Sequence, residues 1–380
     1  MTRPDDRPLR RLPQLADRKA TLERCVFCPK LCRSACPVSN AEPRETLTPW
    51  GKMSMAYFVA NESVALERPF AAPAWACTGC FGCREHCDHK NDVTGTLFEA
   101  RSALVEAGEG PPAAKVVLDR FTERTSVLGR TRVDPRVESS VDPTSPVSVL
   151  IGCEHARHGT DAGIDTVRAV ARLTGKKVSI VDVCCGAPLL YAGDQRRFRE
   201  QGAKMADALN GRSTVVVGDA GCAATLRVHH EAAGIRMPAP VLHFAELAAR
   251  EVGRLGRLDD ALAEGAVRWH DPCQLGRGLG VYDAPRQILS RVLGRAPDEF
   301  ERRREDGRCS GAGGLLPVTM PDVARGIAEQ RLSDHERSGG GTIVTACASS
   351  ARSFQKSGHA AVLDLATVVL RALDAADAGR

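Results

Sequence analysis

The chain has 380 residues, 43% of them hydrophobic, with 52 Lys and Arg against 47 Asp and Glu, for a formal charge of +5. That length exceeds one hydrophobic core and implies two or three domains, and the composition is that of an ordinary globular protein. Aromatics at 4% and the lack of a basic stripe interleaved with them argue against nucleic-acid binding. No apolar run approaches the roughly 18–20 residues that span a bilayer, and the opening MTRPDDRPLRRLPQ lacks the apolar stretch of a signal peptide. The expected compartment is therefore cytoplasmic, with any membrane association peripheral and made through a partner.

Residues 1–20 read as a basic N-terminal tail. Residues 1–58 hold 11 Lys and Arg against 6 Asp and Glu, which accounts for the whole excess of +5. A solvated segment is the plain expectation, and a docking surface for an acidic partner the alternative. The 15 cysteines are odd in number, come without an export signal and cluster at short spacings. Metal or redox ligation follows more naturally than a disulfide framework.

The stretch CVFCPKLCRSACP places Cys25, Cys28, Cys32 and Cys36, with Pro37 behind the last, and CTGCFGCREHC places Cys77, Cys80, Cys83 and Cys87. Thiolates three or four positions apart converge on one iron-sulfur cluster, and a fourth cysteine followed by proline turns toward a neighbouring cluster, as in two-cluster ferredoxins. By that rule Cys25, Cys28, Cys32 and Cys87 hold one 4Fe-4S cluster, and Cys36, Cys77, Cys80 and Cys83 the other. The three residues between Cys28 and Cys32, where ferredoxins usually have two, depart from the pattern. Two structural zinc sites are the competing reading of paired C-x2-C motifs. His86 and His89 read as solvated or packed against the second loop. Between the runs, Thr48 caps a helix opening at Pro49, with Met53, Tyr57 and Phe58 at helical spacing. After them Asn91 or Asp92 caps a helix through Leu97, Arg101, Leu104 and Val105 that stops at Gly108. Residues 21–125 therefore form a helical two-cluster ferredoxin-type domain, similar to that of succinate dehydrogenase iron-sulfur subunits.

Residues 126–146, rich in proline, serine and charge, read as a linker. Beyond it, apolar runs ending in cysteine or glycine (VSVLIGC, KVSIVDVCCG, TVVVGDAGC, AVRWHDPC, GTIVTAC) alternate with helical stretches, as in parallel sheets buried on both faces. The spacings repeat: Cys153 to Cys273 is 120 residues, Cys184 to Cys309 and Cys222 to Cys347 are both 125, and Cys185 to Cys222 and Ser310 to Cys347 are both 37. Two duplicated α/β domains follow, at 147–248 and 265–380, joined by a connector at 249–264. Each is expected as a three-layer parallel-sheet unit presenting its cysteines at the carboxyl ends of strands. The overall fold class is mixed: an all-α ferredoxin-type domain and two repeated α/β domains. GRGLG at 276–280 is a weak nucleotide fingerprint, because it opens no helix directly after a strand.

Cys, then Cys-Cys-Gly, then Cys, given twice behind two ferredoxin motifs, resembles the CCG-domain iron-sulfur proteins, with HDPCQLGRGLGVYDAPR especially similar to the second repeat of that family. That family includes heterodisulfide reductase subunits and the iron-sulfur subunits of glycolate oxidase and anaerobic glycerol-3-phosphate dehydrogenase. The resemblance implies an electron-transfer protein that relays electrons between a flavoprotein dehydrogenase or reductase and a quinone or soluble carrier. A catalytic thiol-disulfide or quinone reductase, and a redox sensor, are the rival expectations. Disulfide-cleaving members use five cysteines per site. Here the first copy has Cys153, Cys184, Cys185 and Cys222, with Asp219 where the extra cysteine would stand, which is enough for one further cluster. The second copy keeps Cys273, Cys309 and Cys347, with Ser310 replacing one thiol and Val344 in the other position. A serine hydroxyl is a hard, weakly acidic ligand beside a thiol of pKa about 8.5. The second site is therefore expected to be empty, to be completed by Ser310, His270 or water, or to hold a different metal.

Overall fold

A computed structural model describes residues 8–122, 134–158, 160–359 and 361–379. The chain forms two compact units, one of residues 1–123, 188–198 and 309–327, the other of residues 124–187, 199–308 and 328–380. The segment 188–198, just behind the Cys184-Cys185 pair, and the segment 309–327, which opens on its Cys309-Ser310 counterpart, were expected inside the α/β domains. They belong instead to the unit that contains the ferredoxin-type region.

The first unit is helical. Helices Lys19–Val26, Pro49–Ala60 and Val93–Glu106 enclose a core of Leu15, Leu22, Met53, Tyr57, Trp75, Leu97 and Leu104. The expected caps form: the Thr48 hydroxyl accepts from the Gly51 amide at 3.0 Å, and Asp92 accepts from the Gly95 amide at 2.9 Å. Each such cap stabilises a helix start by about 1 kcal/mol. The expected solvated tail is corrected in part. Leu9, Leu12 and Leu15 are buried in the core, because these three leucines, spaced three apart, give a polar stretch one apolar edge. Residues 1–7 of that tail lie outside the described residues.

The second unit holds two four-stranded parallel sheets. The first contains β1 (Val147–Leu150), β2 (Ser179–Ile180), β3 (Thr214–Val217) and β4 (Val241–His243), in the order β2-β1-β3-β4. The second contains β5 (Val267–Trp269), β6 (Asp298–Glu299), β7 (Thr342–Thr345) and β8 (Val362–Asp364), in the order β6-β5-β7-β8. The two orders are the same, so the sequence repeat is a structural repeat. Central strands β1 and β5 are buried along their whole length, which explains apolar runs without alternation.

One hydrophobic core runs through both repeats, from Val149, Val167, Phe244 and Ala248 to Leu289, Val344 and Val369. Part of the expected linker also packs there: Val137 is buried in this core, and Val141 bridges in parallel to Val178. Residues 126–133 of that linker lie outside the described residues. The connector contributes Leu255, Leu258 and Leu262 to the same core. Among the described residues no helix is long and apolar enough to cross a membrane.

Candidate metal centres

The eight thiols of the two cysteine runs lie in the first unit, and those with shifted ionisation raise one another. Burial pushes the Cys25 thiol up to about 12, and the thiolates that add to it are Cys32, Cys28 and Cys87. Cys32 rises to about 11 through burial, then through Cys28 and Cys87. Cys83 lies well above the usual thiol range, first through burial and then through Cys77, Cys80 and Cys36. Cys25 and Cys32 thus feel Cys87 of the second run, Cys83 feels Cys36 and Cys32 of the first, and Cys32 also feels Cys36, so the two runs are electrostatically entwined. Crowded buried thiols resist ionising together, and a bound cation removes that resistance by stabilising every anion at once. The donor set is eight soft sulfurs, so it fits iron-sulfur ligation.

Three residues that sequence reasoning did not assign to the site sit around these thiols. Lys52, 2% exposed, donates its ammonium to Cys36 Sγ at 3.3 Å. Burial opposes its charge, but Cys36 and Cys77 outweigh that and its pKa is raised. Asn91, one of the two expected caps, instead donates its amide to Cys25 Sγ at 3.0 Å and to the Thr21 carbonyl at 2.9 Å. Arg101 is fully buried and donates to the carbonyls of Ala74, Cys77, Tyr191 and Gly314, each at 2.9 Å. It binds the second cysteine run to the two returning segments of its own unit, and burial lowers its pKa to about 10. The sequence signal for Lys52 and Arg101 was a cation in an apolar helical stripe. A small cavity is lined by Cys36, Lys52, Cys77, Cys80, Cys83 and Phe81. His86 turns Nδ1 to the Gly82 carbonyl at 3.0 Å, and His89 is exposed.

In the first α/β repeat, Cys153, Cys184, Cys185 and Cys222 follow β1, β2 and β3 and form a continuous chain of thiol contacts. Cys153 is raised well above the thiol range by its contact with Cys184, then by burial. For Cys184 the contact from Cys153 lowers the value, but the contact to Cys185 and burial outweigh it, giving about 12. Cys185 is lowered by Cys184 and raised more strongly by Cys222 and burial. Cys222 is lowered by Cys185, but burial and Asp219 carry it to about 12. Four sulfurs linked in a chain of contacts, three of them on buried residues, again suit a soft, cationic centre. Gly186, at φ +88°, brings its amide to 3.5 Å from Cys184 Sγ, as Gly311, at φ +79°, brings its own to 3.4 Å from Cys309 Sγ. Gly313 and Gly314 serve another purpose: a Cβ there would meet the Thr78 and Cys77 carbonyls at 2.3 and 2.1 Å, so only glycine lets this segment lie against the second cysteine run.

Asp219 occupies the fifth-cysteine position and has work of its own. One carboxylate oxygen accepts from the Gly221 and Cys222 amides at 2.9 and 3.1 Å, and the other from the Ala348 amide at 3.1 Å. It therefore caps the turn carrying Cys222 and ties it to the residue after Cys347 in the second repeat. Of the second-site candidates, Cys309 and Ser310 are buried in the first unit, whereas Cys273, Cys347 and His270 belong to the second. Cys347 opens the helix Ala348–Lys356, and its pKa is raised to about 12 by burial and Asp219 despite donation from Ser350. His270 is buried at the end of β5. Its Nδ1 accepts from Arg331 Nε at 3.4 Å, and its ring packs edge-on against Phe354 at 4.9 Å.

Sulfur-lined strand ends behind a helical eight-cysteine module define an iron-sulfur redox protein. The 4Fe-4S dicluster domain family matches residues 21–91, and the cysteine-rich CCG domain family matches residues 147–227 and 267–353. The chain belongs with these: it is a CCG-domain protein with a 4Fe-4S dicluster domain, which implies two 4Fe-4S clusters. It is similar to a CoM/CoB fumarate reductase polypeptide of Methanothermobacter marburgensis, with 28% identity over 86% of this chain and 66% of that one. A polypeptide of the dihydromethanophenazine:CoB–CoM heterodisulfide reductase of Methanosarcina mazei is 29% identical over 82% of this chain and 83% of that one. The EtfAB:quinone oxidoreductase of Syntrophomonas wolfei is 26% identical over 63% of this chain and 36% of that protein. These relatives are oxidoreductases or oxidoreductase subunits.

Proposed function

We propose that this protein is the cluster-carrying subunit of a redox complex, relaying single electrons between a flavin-dependent dehydrogenase or reductase and a quinone or soluble carrier. In this reading Cys25, Cys28, Cys32 and Cys87 hold one 4Fe-4S cluster, Cys36, Cys77, Cys80 and Cys83 a second, and Cys153, Cys184, Cys185 and Cys222 a third. These clusters would supply one-electron chemistry. The chain supplies their settings: Lys52 and Asn91 donate to sulfur, and Arg101 fixes the second loop. The second CCG site, with Cys273, Cys309 and Cys347 as its thiols and Ser310 or His270 as the fourth donor, is assigned no cluster in this reading.

The observation that carries the relay reading is Asp219, whose carboxylate is committed to three backbone amides at the position where a disulfide-cleaving site needs its fifth thiol. The names of the heterodisulfide reductase and quinone oxidoreductase relatives favour a disulfide- or quinone-reducing alternative. Iron and acid-labile sulfide counts on anaerobically purified protein test the reading. At four irons per cluster, about 12 irons means the two ferredoxin-type sites plus the first CCG site, about 16 means that the second CCG site is filled as well, and about 8 removes both. Co-purification with a flavoprotein supports the relay, whereas disulfide reduction by the isolated chain sinks it. Colourless oxygen-free protein carrying only zinc overturns the iron-sulfur assignment altogether.

A further inference from the structure

The second α/β repeat carries a group of side chains at the end of its sheet opposite the cysteines. His335 and Glu336 close the helix Pro321–Arg337 ahead of β7, and His359 precedes β8, whereas Cys347 lies beyond the far end of β7. One donor atom from each of His335, Glu336 and His359 lies within 4.8 Å of the other two. His335 is fully buried, and its Nε2 lies 3.0 Å from the Gly341 carbonyl oxygen. A carbonyl only accepts, so Nε2 carries the proton and Nδ1 presents a lone pair. That Nδ1 and Nε2 of His359 are both buried and meet no hydrogen-bond partner among the described residues. The two rings stand edge-to-face with centroids 4.7 Å apart, and Phe300 covers His335 at 5.7 Å.

Simple ring packing leaves two buried nitrogens unsatisfied, which costs stability. A backbone carbonyl that fixes the tautomer of a buried imidazole is the usual outer support of a metal-ligating histidine. Two imidazole nitrogens and a carboxylate make a three-ligand set for a zinc-class ion, with an open fourth position. Metal bonds of about 2.0–2.1 Å would bring such donors to about 3.4 Å from one another, within reach of sub-ångström side-chain rotations. Glu336 is exposed, so its carboxylate reaches the site from the solvent side. We infer that His335, Glu336 and His359 form a divalent zinc-class metal site, separate from every cysteine in the chain, that ties the end of the helix Pro321–Arg337 to the loop entering β8.

Fifteen cysteines make adventitious zinc a concern, so the test uses cluster-loaded full-length protein, incubated anaerobically with zinc and desalted. Wild type is expected to retain one zinc per chain with an X-ray absorption first shell of nitrogen and oxygen at about 2.0–2.1 Å and no sulfur at 2.3 Å. His359→Ala, at a partly exposed position, should bind zinc at least ~100-fold more weakly, beyond the 10–100-fold typical of outer-shell losses, with iron content unchanged. Glu336→Gln should also weaken binding. A sulfur shell, no retained zinc in wild type, or equal retention in His359→Ala overturns the site. If His359→Ala also loses iron, His359→Gln and the wild-type absorption shell still decide the matter.

Discussion

Replacing Lys52 by methionine removes a buried ammonium that donates to a cysteine of the second ferredoxin-type group while keeping the volume of the side chain. At the observed 3.3 Å from Cys36 Sγ, and with an effective dielectric of about 20, a unit positive charge attracts a unit negative charge by about 5 kcal/mol. A one-electron couple shifts by about 59 mV for each 1.4 kcal/mol, so the ceiling is roughly 200 mV. An added electron spreads over the whole cluster, roughly twice as far from Nζ, which halves the expected effect to about 100 mV. Lys52→Met should therefore lower the midpoint potential of one cluster by about 100 mV and leave the others in place. Potentiometric titration followed by electron paramagnetic resonance reads this directly. A shift under about 20 mV, or the same shift in every cluster, would refute local charge tuning through Cys36.

The same reasoning extends to other residues. Asn91→Ala removes the amide donor to Cys25 Sγ and should lower the potential of the other ferredoxin-type cluster by tens of mV, leaving the Lys52-linked one unchanged in the same titration. Arg101→Leu removes the guanidinium from four carbonyls, three of them in buried bonds, and at about 1–3 kcal/mol for each buried unmet group the expected loss is several kcal/mol, seen as a lowered denaturant midpoint with early iron release. Arg101→Lys should fail to rescue, because an ammonium cannot reach four acceptors in the planar geometry of a guanidinium. Asp219→Ala should cost about 3 kcal/mol of stability in denaturant unfolding, from one lost cap and a buried unpaired Ala348 amide. Asp219→Asn, which keeps one acceptor oxygen, should lose less, and equal losses in the two variants would rule out the hydrogen-bonding role.

Much of the architecture was legible along the chain because it is written in local chemistry. Thiol spacings of three and four, a Thr-Pro and an Asp helix start, and β-branched runs ending in cysteine or glycine depend on neighbours a few residues away. The 125-residue recurrence then made the duplicated sheets visible without any knowledge of their packing. What the sequence could not decide was long-range. Leu9, Leu12 and Leu15 sit in a charged segment, and only the core shows that their edge is buried. The fusion of both sheets around one core, and the return of residues 188–198 and 309–327 to the helical unit, rest on packing between positions far apart in the chain. Lys52, Arg101 and Asp219 read locally as an odd cation, an odd cation and a missing thiol. Their partners lie 16, 213 and 129 residues away, so only the tertiary structure could turn three apparent defects into a sulfur donor, a four-carbonyl clamp and a bridge between repeats.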